Sequence, residues 1–101
     1  MYYFDNQGLI NWQNVTYNGY LYGWSRNIDL PGYDIAQQIV TAGNIQYCAQ
    51  ACKSYTGCNH ITYAPDTAAG FPAGHCWLKY KLGISPSNNV LYINIWSGIL
   101  Y

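Results

Sequence analysis

The run Cys48-Ala49-Gln50-Ala51-Cys52-Lys53-Ser54-Tyr55-Thr56-Gly57-Cys58, followed further on by Cys76-Trp77-Leu78-Lys79, holds all four cysteines of the 101-residue chain. Cys48 and Cys52 are four residues apart, which places both thiols on one face of a helix. Ile45 and Tyr55 continue the same spacing, Ala49 and Ala51 lie beside it, and Asn44 is a suitable N-cap. The spacing predicts a helix over about 45–54. Gly57 suits its exit. The second run alternates like a strand, with Cys76, Leu78 and Tyr80 pointing to one side and Trp77 and Lys79 to the other. An even number of cysteines spread over a helix and two strands reads as a disulfide framework. That implies an oxidising compartment, and it favours a binding or structural module over a cytosolic enzyme. Four cysteines allow three connectivities, and their spacing alone does not choose among them. Zinc is disfavoured: C-x3-C-x5-C-x17-C, with His60 and His75 nearby, departs from the tight paired spacings of zinc sites. No metal and no cofactor is expected.

Outward from this core the pattern is mostly β-like. Residues 58–63, 75–80 and 90–96 read as strands. In the last, Leu91, Ile93 and Ile95 share one face, and Tyr92, Asn94 and Trp96 the other. Residues 15–24 are also β-like, with Tyr20, Tyr22 and Trp24 on one face and Leu21 on the opposite one. Asp29-Leu30-Pro31-Gly32-Tyr33-Asp34 is a turn, because proline fixes φ and glycine permits positive φ. Residues 35–40 fit a strand or a short helical turn equally well. Residues 64–74 and 83–89 are loops, and residues 1–14 form a polar-aromatic arm or short strand.

The cysteine spacing, the short strand after Cys58, and Cys76-Trp77-Leu78-Lys79 together resemble a PAN/apple domain. The Asp29–Asp34 turn and Ser97-Gly98 also fit, so the resemblance covers about residues 24–98. It implies an α+β fold: a small antiparallel sheet of about five strands with one helix packed across it, stapled by disulfides. It also implies pairing of Cys48 with Cys76 and of Cys52 with Cys58. The short turn between Cys52 and Cys58, and the inward side of the strand at Cys76, are compatible with that pairing. Residues 1–23 would then be an arm and first strand, and residues 99–101 an apolar tail. The cysteine pair that joins the ends of full apple domains is missing. The two ends are therefore expected to be held by packing, by ladder bonds or by a partner.

Composition narrows the function. Only 8% of residues are charged, against about 25% in ordinary domains. Four Lys+Arg balance four Asp+Glu, and none of the acids is glutamate. So little charge favours association. Nucleic acid is excluded as a partner, because there is no basic stripe to displace counterions. No segment is long enough to span a membrane. Met1-Tyr2-Tyr3-Phe4-Asp5 lacks the basic start and apolar run of a secretory signal. The chain is therefore expected to be a mature or recombinant form, or a segment of a longer protein.

No catalytic constellation emerges. His60 and His75 read as surface or edge residues, and cysteines in this pattern are oxidised rather than nucleophilic. Asp29 and Asp34 are too few for a calcium site and read as turn residues. What remains is aromatic surface with polar tips, suited to stacking on sugars or anchoring a protein interface. The expected ligand or interface residues are Tyr20, Tyr22, Trp24, Trp77, Lys79, Tyr92 and Trp96, with Lys81 as an alternative cation. Asn14-Val15-Thr16 is the one N-glycosylation sequon. The reading is a secreted or cell-surface, non-catalytic adhesion module that binds protein or carbohydrate and self-associates. The alternative is a self-assembling subunit of an extracellular filament or layer.

Overall fold

The computed structural model describes residue 12 and residues 21–100, Tyr22 by its backbone alone. The N-terminal arm apart from Trp12, Asn14, Tyr20, the side chain of Tyr22 and Tyr101 lie outside these residues.

Among the described residues five strands and one α-helix follow in the order β1 (Leu21–Asp29), β2 (Asp34–Ile39), α1 (Ile45–Lys53), β3 (His60–Tyr63), β4 (His75–Lys79) and β5 (Val90–Leu100), with a short 3-10 turn at Pro86–Asn88 before β5. The strands form one sheet in the spatial order β1-β5-β3-β4-β2, and every pair is antiparallel. This is the α+β architecture that the resemblance implied. The segment that pattern left open, residues 35–40, joins the sheet as edge strand β2.

Helix α1 starts where Asn44 accepts a hydrogen bond from the Gln46 amide, 3.0 Å away. It buries Ile45, Cys48, Ala49 and Cys52 against β3, β4 and β5. The opposing sheet residues are Ile61, Tyr63, Cys76, Leu78, Leu21 and Leu100. Cys48 is bonded to Cys76 across this core, and Cys52 to Cys58 at the helix exit, with Cα separations of 5.5 and 5.3 Å. Tyr63 locks the helix start: its hydroxyl donates to the Thr41 carbonyl at 2.6 Å and accepts from the Asn44 amide at 3.2 Å. Burial pushes the Tyr63 phenol above its ordinary pKa.

Strand β5 runs past Trp96 to Leu100, because β1 offers it partners that a local pattern does not reveal. Leu21 pairs with Leu100, Gly23 with Ile99 and Trp24 with Gly98. A side chain at Gly98 would force its neighbours to shift: its Cβ would lie 2.7 Å from Leu21 Cδ2 and 3.2 Å from Trp24 Cβ.

Two irregularities bend the β1–β5 ribbon and reset which face each residue occupies. Register slips between Leu21 and Gly23, so Leu21 and Trp24 both reach the helix side despite their odd separation. It slips again between Arg26 and Ile28, whose partners are Trp96 and Leu91. Asn27 and Asn94 there have φ of 61° and 69°, and the Asn94 amide donates to Asn27 Oδ1 at 3.0 Å. Beyond this bend the ribbon folds over the sheet face opposite the helix. Asp29 of the edge strand thereby reaches Thr62 of the central strand, 2.7 Å away. A second apolar cluster of Trp12, Ile28, Leu30 and Ile99 accompanies the fold-over.

Several faces expected from alternation are corrected by these bends. Tyr80 is exposed rather than inward, since β4 ends at Lys79. Leu91 and Ile93 are exposed while Ile95 is buried. Trp24 and Trp96 lie half-buried on the helix side.

Candidate functional site

The face opposite the helix carries a cavity of about 210 Å³. Its polar base comes from three places in the chain. Thr62 sits in the middle of β3, Lys79 at the end of β4, and Asp29 and Asp34 on either side of the β1–β2 turn. Phe71, Trp77, Tyr92 and Ile95 form the walls.

Lys79 lies on the same face as Trp77, as alternation predicts, but it is 3% exposed rather than outward. The β1–β2 connection from Asp29 to Asp34 covers it. A buried ammonium requires compensation on its donors, and Lys79 finds it. Nζ is 2.9 Å from Asp34 Oδ1 and 3.9 Å from Asp29 Oδ1, and donates to the Gly32 carbonyl at 3.2 Å. Thr62 donates to the same Asp29 oxygen. Two carboxylates against one ammonium leave the base with one net negative charge. Among the described residues the second oxygen of each carboxylate has no protein partner. Asp29 and Asp34 therefore do more than shape a turn.

The aromatic wall is braced. Trp77 stacks on His75 at 4.0 Å and 16° between planes, and Phe71 meets Trp77 edge-on at 5.0 Å and 87°. Phe71 also approaches Tyr92 at 6.4 Å. His75 Nε2 lies 2.8 Å from Gln37 Oε1, which fixes the imidazole under the indole.

His60, expected at the surface, is fully buried beside Lys79, its partner in the β3–β4 ladder. The reason is its place on the central strand rather than an edge. Its Nδ1 is 2.7 Å from Asn59 Oδ1, while Nε2 is buried without a hydrogen-bond partner. Burial first, and the Lys79 charge second, lower its pKa to about 4. It is a neutral imidazole at physiological pH.

Three expected residues, Trp77, Lys79 and Tyr92, thus meet in one cavity. Trp24 and Trp96 meet instead on the helix side, 5.7 Å apart. Sequence reasoning missed Phe71, Thr62 and Ile95. Phe71 had a faint signal, as an aromatic between Gly70 and Pro72 in a turn-rich loop. All four cysteines are oxidised, so none is available as a nucleophile.

The family model for the PAN domain matches residues 28–79, from the end of β1 through β4. This chain belongs to the PAN domain family. No curated protein matches it. The matched segment of this PAN domain contains both disulfides, the whole polar base and two of the aromatic walls, Phe71 and Trp77. PAN domains are in general non-catalytic modules that bind protein or carbohydrate. The family and the two disulfides suggest a secreted or surface location. Among the described residues no helix is long and apolar enough to cross a membrane.

Proposed function

We propose that this PAN domain is an extracellular recognition module whose cavity takes a neutral saccharide unit. One observation carries the reading: carboxylate oxygens of Asp29 and Asp34 that have no protein partner among the described residues stand beside Phe71, Trp77 and Tyr92. A pyranose offers the matching chemistry, with hydroxyl donors on its rim and C–H bonds on its faces. Its apolar face would lie on Trp77 or Tyr92 while two hydroxyls donate to the carboxylates. Lys79 would not touch the sugar; it is a positioning residue that holds both carboxylates in place.

Glycan-array screening followed by calorimetry tests this. Binding of a neutral glycan is expected to be lost in Trp77→Ala and weakened by about tenfold or more in Asp34→Asn, as for hydrogen bonds to charged groups. Full affinity in both variants would remove the cavity from the reading.

The alternative, a subunit that assembles with copies of itself, is favoured by a different observation. Edge strand β2 exposes Ile35 at 41% and Ile39 at 61%, and its outer ladder edge has no strand partner among the described residues. Light scattering of the intact chain decides it. A monomer that persists at high concentration rules assembly out.

A further inference from the structure

On the opposite, helix side of the sheet lies a second cavity of about 310 Å³. Trp24, Arg26 and Trp96 of the β1–β5 ribbon line it, together with Gly43, Asn44 and Ile45. The ribbon assembles these residues by register. Arg26 pairs directly with Trp96, and Trp24 pairs with Gly98, where an added Cβ would lie 3.2 Å from Trp24 Cβ. The Arg26 guanidinium is held 4.9 Å from the Trp96 ring centre and 5.7 Å from that of Trp24.

Arg26 is exposed and has no ion pair among the described residues. Its cation is positioned by aromatic rings instead of a carboxylate. The planar fork of N–H donors is left without a protein acceptor among the described residues. Such a fork matches a carboxylate in a bidentate pair. The cavity beside it is much larger than a carboxylate needs, and indoles form part of its wall. An anion carried on a ring with an apolar face fits both features.

We propose that this cavity is a second binding site, specific for a sugar acid. A hexuronate residue would pair its carboxylate with Arg26 and lay its ring along Trp24 and Trp96. The site shares no residue with the Trp77 cavity and lies on the other side of the sheet, so neither assignment depends on the other. A domain with both would hold two glycan segments on opposite faces.

The test is a titration of the intact 15N-labelled chain with sodium D-galacturonate and sodium D-glucuronate, followed by the indole N–H resonances. D-galactose and N-acetyl-aspartate amide serve as the neutral and the peptide-like acidic probe. Trp→Phe variants assign the resonances. A hexuronate is expected to shift the Trp24 and Trp96 signals saturably and to leave that of Trp77 in place. Arg26→Gln, a surface change, should weaken this binding by about tenfold or more while the remaining spectrum stays folded. Arg26→Lys, which keeps charge but not the fork, should fall in between. The proposal is overturned by no saturable shift with either hexuronate, by equal binding of galactose, by equal binding of N-acetyl-aspartate amide, or by unchanged binding in Arg26→Gln. A shift confined to Trp77 reports on the other cavity and also overturns it.

Discussion

At Lys79 the ammonium is nearly excluded from water and yet fully engaged, by Asp34, Asp29 and the Gly32 carbonyl. Its value lies in what its removal would leave behind. Lys79→Met places an apolar chain in the same space but strands two carboxylates that face each other without a cation. Asp34 is 44% exposed and Asp29 21%, so water relieves part of the repulsion. We expect a loss on the order of 2 kcal/mol in urea unfolding, below the ~3–5 kcal/mol seen when a fully buried pair is broken. His60, the direct ladder partner of Lys79, titrates against folding. Its folded pKa of about 4 lies below the ordinary value of 6.5. Between these values the unfolded chain binds a proton that the folded chain refuses. Its contribution to stability is therefore complete above 6.5, falls as pH drops towards 4, and levels off below that. The two pKa values bound the loss at about 3 kcal/mol. Urea midpoints measured across this window should fall less steeply in His60→Leu than in the parent chain.

At the scale of elements, the disulfides divide the work. Cys48–Cys76 ties α1 to β4 across 28 residues, and Cys52–Cys58 closes a loop of six at the helix exit. In the chain-entropy model the stabilisation grows with loop length. Replacing Cys48 and Cys76 together by alanine should cost between about 3 and 4 kcal/mol, and replacing Cys52 and Cys58 about 2 kcal/mol. Denaturant midpoints of the two double variants should therefore differ, the first being lower. The same comparison bears on the sites. The Trp77 cavity takes Trp77 and Lys79 from β4, so it depends on the strand that the longer bridge anchors. The Arg26 cavity draws on the β1–β5 ribbon and on the start of α1, next to the Tyr63 lock.

For the molecule as a whole, the question is what secures the ends in the absence of further cysteines. At the C-terminal side the answer is the ladder of β1 with β5 through Leu100. At the N-terminal side it includes Trp12, which is fully buried with Ile28, Leu30 and Ile99. Trp12→Ala should destabilise the domain by about 3–5 kcal/mol, as for other large core truncations, and thermal unfolding measures it directly. Deleting residues 1–12 would therefore test stability and assembly at once, which makes the oligomeric state of the intact chain the cleaner measure of self-association.

The sequence by itself determined the helix with its Asn44 cap and the family resemblance, and through that resemblance the α+β class. These rest on local spacing: cysteines and apolar residues at helical period, and alternation in β3 and β4. It also marked Trp77 and Tyr92 as aromatic surface. Only the tertiary structure decided which side of the sheet each remaining residue would occupy. Bulges at Leu21–Gly23 and at Asn27–Asn94 shift the period of two, and one shifted residue moves a side chain to the other face. No local pattern announces such a slip. Burial of Lys79, its capture by Asp29 and Asp34, and the separation of Trp24 and Trp96 from Trp77 all follow from the ribbon bending over the sheet. Those are contacts between segments 45 to 50 residues apart in the chain, whose meeting is a property of the fold and not of either segment.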